Sequence, residues 1–339
     1  MKRLLPEIEA LEEELSRPTE ADYALMRGLE GDLMVLGAGG KMGPSLARRA
    51  RRAADRADPG RRVIAVSRFA SEESRRQLAD WGVETIACDL LDREHVARLP
   101  DCPNVLFLAG RKFGSTDDLP LTWATNVLLP ALAVERFRGA RIVALSSGNV
   151  YPLATEAATE KTTPAPVGEY AQSVLGRERV FEYFSARNGT PVVLIRLNYA
   201  IDLRYGVLLD IGERVWRRQA VRLDMGAVNV IWQGDANSAC LRALALASSP
   251  PLVVNVTGRE TLAVRWIAGR FGEIFGIEPA FEGGEAATAL LSDASLAERL
   301  LGPPCVSPET MVERTAEWIR AGAPTYHKPT HFEVRDGAF

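Results

Sequence analysis

Residues 32–46 read Asp32-Leu33-Met34-Val35-Leu36-Gly37-Ala38-Gly39-Gly40-Lys41-Met42-Gly43-Pro44-Ser45-Leu46. A short apolar run breaks into glycines three residues apart, Gly37, Gly40 and Gly43. A stretch with Leu46, Ala47, Ala50 and Ala54 at helical spacing follows. Strand, glycine turn and helix together form the setting in which such a loop holds a nucleotide. The first glycine permits the tight turn, the next lets backbone approach a pyrophosphate, and the last lets helix and strand pack closely. Pro44 suits a first helical turn, where its missing N–H costs nothing. The helix N-terminus then offers N–H groups and partial positive charge to phosphate. The loop, with Lys41 and Met42 in its turn, predicts a dinucleotide site.

Outward from this loop the same alternation repeats. Segments 63–66, 83–87, 104–108, 141–145 and 191–196 read as strands, with helices near 93–99, 121–137 and 170–187. Short β-branched runs alternating with helices predict an α/β fold, a doubly wound parallel sheet of Rossmann type over residues 31–200. Its ligands are expected along the carboxyl ends of the strands. Beyond residue 197 the pattern loosens. Helices are expected at 210–218, 236–247, 263–275 and 308–321, an alternating segment at 227–232, and a strand at 252–256. Residues 201–322 therefore read as a smaller substrate lobe with elements returning to the main core. Residues 1–30 read as a helical extension in which Leu4, Ile8, Leu11 and Leu15 recur among glutamates, with a packing or subunit-contact role. Residues 323–339 read as a polar tail.

Composition narrows the function. Of 339 residues 47% are hydrophobic and 25% charged, which excludes a wholly disordered or fibrous chain. Forty-one basic against forty-four acidic residues give a net charge of −3, and no global case for nucleic acid. The arginines of 48–62 are therefore expected on a solvated helix face. No apolar run reaches the roughly 20 residues of a membrane span, and the glutamate-rich start does not read as a signal peptide. Cys88, Cys102, Cys240 and Cys305 are scattered, and His95, His327 and His331 complete no metal set. Pro329 also argues against a helical pair formed by the last two histidines. A soluble, cytoplasmic protein without a metal is the expectation.

At the end of the second strand an acidic residue would bond the adenosine ribose, whereas an arginine would accept a 2′-phosphate. The residues there are Ser67 and Arg68, with no carboxylate, which favours NADP over NAD.

Further motifs then fall in order. Cys88-Asp89-Leu90, Leu108-Ala109-Gly110, Thr125-Asn126-Val127, Ser146-Ser147-Gly148-Asn149-Val150-Tyr151, Tyr170-Ala171-Gln172-Ser173 and Arg196-Leu197-Asn198 follow the glycine loop. Together they resemble the extended short-chain dehydrogenase/reductases, the NAD-dependent epimerase/dehydratase group, over about residues 32–321. The resemblance implies an oxidoreductase or epimerase working at a hydroxyl-bearing carbon of a sugar or sugar derivative. It places Asp89 and Leu90 at the adenine, Leu108, Ala109 and Gly110 below the nicotinamide ribose, and Asn126 and Arg196 in support. It makes Tyr170 the acid/base and Ser147 the group that orients the substrate oxygen. It also implies a homodimer through the helices at 121–137 and 170–187.

One residue departs from that pattern. A lysine is expected four residues after the tyrosine, and Val174 stands there. A tyrosine pKa near 10 leaves about one part in a thousand ionised at pH 7, and lowering it to about 7 takes roughly 4 kcal/mol. Three readings stay open. Another cation substitutes, with Arg177 on the same helix face or Lys112 after the fourth strand as candidates. Alternatively the platform runs different chemistry, or the chain is a nucleotide-binding sensor or interaction protein. Substrate contacts are expected from Asn149, Asn198 and Arg204, with a second polar cluster at Asn229, Trp232 and Gln233. Asp210 and Asp235 are candidate helix N-caps.

Overall fold

The computed structural model describes residues 6–337 apart from Ala70 and Phe113, so Leu4 and the last two residues of the expected tail lie outside the described residues. Seven strands form one parallel sheet: β1 (Leu33–Leu36), β2 (Val63–Ser67), β3 (Glu84–Ala87), β4 (Asn104–Phe107), β5 (Arg141–Ser147), β6 (Val192–Leu197) and β7 (Leu252–Val256). Their order across the sheet is β7-β6-β5-β4-β1-β2-β3. The order reverses between β1 and β4, and the crevice outside their carboxyl ends is where such sheets receive ligands. Strands β1, β2 and β4 are buried on both faces, which explains their unbroken apolar sequence. Alternate residues feed opposite cores. Leu33 and Val35 join Leu46 and Ala50 on one face, while Met34 and Leu36 join Ile64 and Val105 on the other.

A third core belongs to the smaller lobe, where helices Val207–Trp216, Val264–Phe275 and Pro308–Arg320 pack together. Leu11 and Leu15 of the first helix, Pro6–Leu15, enter this core, whereas Met26 of the second, Glu20–Gly28, enters the sheet core. The N-terminal extension thus ties the two parts together.

Its position overturns the expectation for the arginine-rich helix. In Gly43–Ala57, Arg49 and Arg51 are buried, as is Arg61 beyond its end. Arg49 grips Asp22 at 2.6 and 2.9 Å, and Asp22 also accepts from Ser238 at 2.7 Å. Arg61 donates to the carbonyls of Met26 and Leu29. Sequence spacing makes Arg49 and Arg61 look solvated because their partners come from the upstream segment between Asp22 and Leu29, while Arg51 turns to Asp55 and the Arg61 carbonyl.

Other differences are local. The helix expected over 121–137 is three pieces, with a π-helical turn, Ala124–Leu128, between Leu119–Trp123 and Leu129–Arg136. The helix Glu72–Asp80 escaped prediction because only Leu78 of its nine residues is buried. Asp210 and Asp235 are not N-caps. Their helices begin earlier, at Val207 and Gln233, so both lie inside the first turn, and both carboxylates accept from other segments instead. No helix among the described residues is long and apolar enough to cross a membrane.

The C-terminal segment returns to the protein as a strap across the sheet's carboxyl edge. Tyr326 donates its N–H to the Arg204 carbonyl at 3.0 Å. Thr330 donates from backbone and hydroxyl to Asp210 Oδ2 at 2.8 and 2.5 Å, and Lys112 Nζ reaches the Thr330 carbonyl at 3.4 Å. Phe332 is buried in the lobe core. Arg335 donates to the carbonyls of Asp224 and Thr288. His327 and His331 take left-handed backbone conformations, φ 50° and 54°, where the strap changes direction.

Two stability measurements follow. Asp22→Ala strands the buried Arg49 guanidinium and should lower the unfolding free energy by about 3–5 kcal/mol in urea denaturation. A loss below about 1 kcal/mol would show that the pair does not hold the extension in place. The second concerns Asp210, whose pKa burial raises from 3.8 to about 6 against the opposing bonds from Thr330. Glu213 and Glu333 add to the rise, while Lys112 faces the same carboxylate. The folded protein therefore binds this proton more readily than the unfolded chain, and stability present at pH 4 is lost as pH rises through 6. Asp210→Asn should stabilise the protein above pH 6, by at most about 3 kcal/mol, and lose that advantage toward pH 4. A gap independent of pH would reject the assignment.

Candidate active site

A cavity of about 600 Å³ opens where the glycine loop, the ends of β4, β5 and β6, and the strap converge. Gly37, Gly40, Lys41, Met42 and Gly43 line it from the loop. Each glycine has its own steric reason. Gly37 has φ +86°, and a Cβ there would lie 2.6 Å from the Ala109 nitrogen. Ala109 therefore packs behind the loop, while Leu108 and Gly110 face the cavity. A Cβ on Gly43 would strike the Ala38 carbonyl, so this glycine lets the helix start against the turn. At Gly40 a Cβ would meet only the Gly37 oxygen, at 3.4 Å, so its bare backbone presents itself to the cavity. The helix beginning here has no side-chain cap at Met42. Uncapped helix start, open backbone and flanking lysine fit the pyrophosphate of a dinucleotide.

Four expected residues stand outside the cavity lining, where the strand ends continue past the glycine loop. Ser67 ends β2, and a Cβ on Gly39 would lie 2.6 Å from its hydroxyl. Arg68 follows, exposed. Asp89 is half-buried beyond β3 and accepts from the Leu91 N–H at 3.0 Å, with Leu90 buried beside it.

At the other end Tyr170 faces the cavity together with Ser147 and Asn149. Ser147 ends β5, where its hydroxyl meets Asn149 Oδ1 at 2.9 Å and hydrogen-bonds Tyr170. Burial holds the Tyr170 pKa above the usual tyrosine value, opposed by the Arg177 charge and the bond to Ser147. Val174, one turn along the helix Gly168–Asn188, packs into an apolar cluster with Val150, Tyr151 and Ala158. That cluster supplies no partner for an ammonium.

The cation comes from the next turn. Arg177 is 5% exposed, and its guanidinium donates to the Leu145 carbonyl at 2.7 Å and to Asn126 Oδ1 at 2.6 Å. A Cβ on Gly110 would lie 2.4 Å from Arg177 Nη2, so the glycine is what admits the guanidinium. Burial lowers its pKa to about 10, Tyr170 and Glu178 resisting the fall, so it is charged at neutral pH. Asn126 lies in the π-helical turn. Its oxygen accepts from Arg111 N at 2.9 Å, and its amide donates to the Arg111 carbonyl at 3.0 Å and to Ser173 at 2.9 Å. One asparagine thereby joins the turn after β4, the tyrosine helix and Arg177. Lys112 enters from that same turn, its Nζ 6.0 Å from the Tyr170 ring centroid. Burial lowers its pKa to about 8, with Asp210 opposing.

Not every expected contact reaches the cavity. Asn198 lines it, as do Tyr199 and Tyr205. Arg204 is instead held between Asp202 at 2.8 Å and Glu12 at 2.6 Å, with its charge 4.9 Å over the Tyr326 ring. Arg196 forms a buried pair with Glu178 and donates to Tyr151, so it braces the helix from behind. Asn229, Trp232 and Gln233 are buried and also absent from the lining. Sequence reasoning missed Tyr326, Lys328 and Thr330, which wall the cavity from the strap. The stretch Thr325-Tyr326-His327-Lys328-Pro329-Thr330 carries aromatic and hydrogen-bonding groups, but no periodicity marked it as part of a site. His327 and His331 join no metal-ligand cluster among the described residues.

Comparison with known proteins agrees with this geometry. No curated protein sequence matches the chain. Among solved structures, the epimerase Mth375 from Methanothermobacter thermautotrophicus is 20% identical, with a TM-score of 0.72 over 89% of this chain and 96% of that one. MoeE5, solved with UDP-glucose and NAD, is 21% identical, with a TM-score of 0.70 over 86% and 99%. A UDP-glucose 4-epimerase from Thermotoga maritima, solved with UDP-glucose, is 20% identical, with a TM-score of 0.70 over the same shares. At these identities the likeness is one of fold. The model of the NAD dependent epimerase/dehydratase family matches residues 33–201, the span from β1 to just beyond β6, and by that domain the chain belongs to the family.

Proposed function

We propose that this protein is a nicotinamide-dependent enzyme that oxidises, reduces or epimerises a hydroxyl-bearing carbon of a sugar or sugar derivative. The observation that carries the reading is the hydrogen-bonded Tyr170–Ser147 pair with the charged Arg177 behind it, in a cavity that begins at a phosphate-binding loop. NAD and UDP-sugars in solved structures of the same fold support it. A nicotinamide dinucleotide supplies the redox chemistry, exchanging a hydride with the substrate carbon. Gly37, Gly40, Met42 and Gly43 would hold its pyrophosphate. Ser67 and Arg68, without a carboxylate, favour NADP. Asp89 would meet the adenine, and Leu108 and Gly110 would lie beneath the nicotinamide ribose.

The chain's own residues manage the proton. Tyr170 is neutral at rest, so its hydroxyl is ready to donate, and the Arg177 charge lowers the cost of the phenolate left behind. Ser147 fixes the substrate oxygen relative to that hydroxyl, and Asn126 fixes Arg177. An arginine in this place stays protonated across the working pH range, whereas its planar fork is committed to Leu145 and Asn126. A chain kept only for binding would have no use for a buried charge aimed at a tyrosine, which speaks against the sensor reading.

The test begins by denaturing the purified protein and identifying released nucleotide, then measuring NADP and NAD affinities. With UDP-glucose and simple sugars as probes, Tyr170→Phe should lower turnover by about 10²–10⁴ while leaving nucleotide affinity unchanged. Arg177→Lys should retain more turnover than Arg177→Met, and its pH profile should shift. Unchanged turnover in Tyr170→Phe would sink the catalytic assignment.

We also propose a homodimer. Leu119, Trp123, Leu128, Val167 and Tyr183 are exposed large apolar residues on or beside the helical segments from Leu119 to Arg136 and Gly168–Asn188. Burying them between copies is the simplest relief. Light scattering should give twice the 37.0 kDa chain mass, and Leu128→Glu should give the monomer. A monomeric parent protein would reject the interface. The four free thiols suit a reducing compartment such as the cytoplasm.

A further inference from the structure

A second cavity, of about 220 Å³, lies apart from the one that Tyr170 faces, and the two share no lining residue. Its walls come from the N-terminal extension at Thr19 and Ala21, the helix Gln233–Arg242, the end of β7, and the segment 294–305. All of these lie outside residues 33–201, so the family domain does not account for it. Ile231, Ala239, Val256, Ala297 and Leu301, all buried, make much of the wall apolar.

Three polar groups in this wall remain uncommitted. Thr257, just past β7, is 2% exposed, and its hydroxyl has no hydrogen-bond partner among the described residues. Glu298, on the short helix Ser295–Leu301, has one carboxylate oxygen buried and likewise unpartnered. Arg242 commits only its Nε, to the Ser238 carbonyl and hydroxyl at 3.4 and 3.2 Å, with Asp22 3.8 Å away. Its two terminal nitrogens bond no described residue. Burial lowers its pKa against the pull of Asp22, so this guanidinium has lost part of its water. Glu298 and Arg242 line one small space, yet among the described residues they form no ion pair with each other. The remaining charge, Asp235, already accepts the N–H groups of Cys305 and Val306 at 3.0 and 3.1 Å. A buried polar atom left unpaired costs free energy, and water in a largely apolar chamber finds few of the partners it needs.

We propose that this cavity binds a small zwitterion, an α-amino acid with an aliphatic side chain. Its ammonium meets Glu298 and Thr257, its carboxylate meets the free end of Arg242, and its side chain lies against Ile231 and Leu301. The volume is several times the roughly 30 Å³ of a water molecule and below the roughly 300 Å³ at which drug-sized sites begin, so the ligand is small. A carboxylate and a guanidinium that face one space without pairing call for a molecule carrying both charges. A singly charged ligand satisfies one and leaves the other stranded. The inference does not depend on the chemistry proposed for Tyr170.

Calorimetric titration of the full chain with L-leucine, isoamylamine and isovalerate tests it. The three share an aliphatic body and differ in the charges they carry. Leucine should bind at least about tenfold more tightly than either singly charged analogue. Glu298→Gln should weaken leucine by about tenfold and leave isovalerate unchanged. Glu298 bonds no described residue through its side chain, so this variant should fold as the parent does, which circular dichroism checks. Thr257→Val removes a hydroxyl that is unpartnered without ligand, so it should keep or raise the thermal midpoint while weakening leucine. Either analogue binding as tightly as leucine would overturn the proposal, because one charge would then suffice. Leucine binding indifferent to Glu298→Gln would overturn it as well. No heat from leucine at millimolar concentration would leave a merely hydrated cavity and end the proposal. The comparison of the three ligands on the parent protein decides the question even where a variant fails to fold.

Discussion

A buried guanidinium with no freedom to move organises the active-site end of this protein. Arg177 needs the Leu145 carbonyl and Asn126 to satisfy its donors, and it needs Gly110 to have no side chain. Those three requirements fix the carboxyl end of β5, the π-helical turn and the loop after β4 relative to the tyrosine helix. Removing a charge of this kind from water costs several kcal/mol unless its partners are in place. The same cost makes the arrangement specific, because any shift of the loop leaves a donor unsatisfied. Position 174 carries no charge, and the buried cation whose field reaches Tyr170 stands one turn later. Val174 is free to complete an apolar cluster in exchange.

The strand–loop–helix reading was legible because each feature has a local cause. Glycines at 37, 40 and 43 answer to contacts within the loop or with the neighbouring strand end, and four apolar residues in β1 answer to burial on both faces. Tyr170, singled out by its motif, lines the cavity, and Asn126, singled out likewise, bonds Arg177 beside it. Arginines were the harder residues to place. Arg49, Arg61, Arg196 and Arg204 are all buried, and each has partners distant in sequence. A long side chain ending in five donors can lie in water or in a cage of carbonyls and carboxylates, and periodicity does not distinguish the two. Arg204 looked like a substrate ligand for this reason, although Asp202 and Glu12 already hold it.

The N-terminal extension and the strap share that non-local character. Glu12 reaches Arg204, whose carbonyl receives the Tyr326 N–H. One chain of contacts therefore runs from the first helix through the loop after β6 to the C-terminal strap. Neither end has a motif, because its fit depends on a surface created by the rest of the fold. The sequence shows amphipathic spacing in the first case and none in the second.

The strap also differs from the rest of the cavity wall in what holds it in place. The loop, sheet and tyrosine helix have a geometry set by backbone constraints that tolerate little change. The strap is held by a few side-chain bonds and contributes one cation, one aromatic and one hydroxyl to the wall opposite. Its left-handed turns at His327 and His331 cost conformational energy that Asp210, Phe332 and Arg335 must offset. Those bonds hold Tyr326, Lys328 and Thr330 against the same cavity that Tyr170 faces from the opposite element.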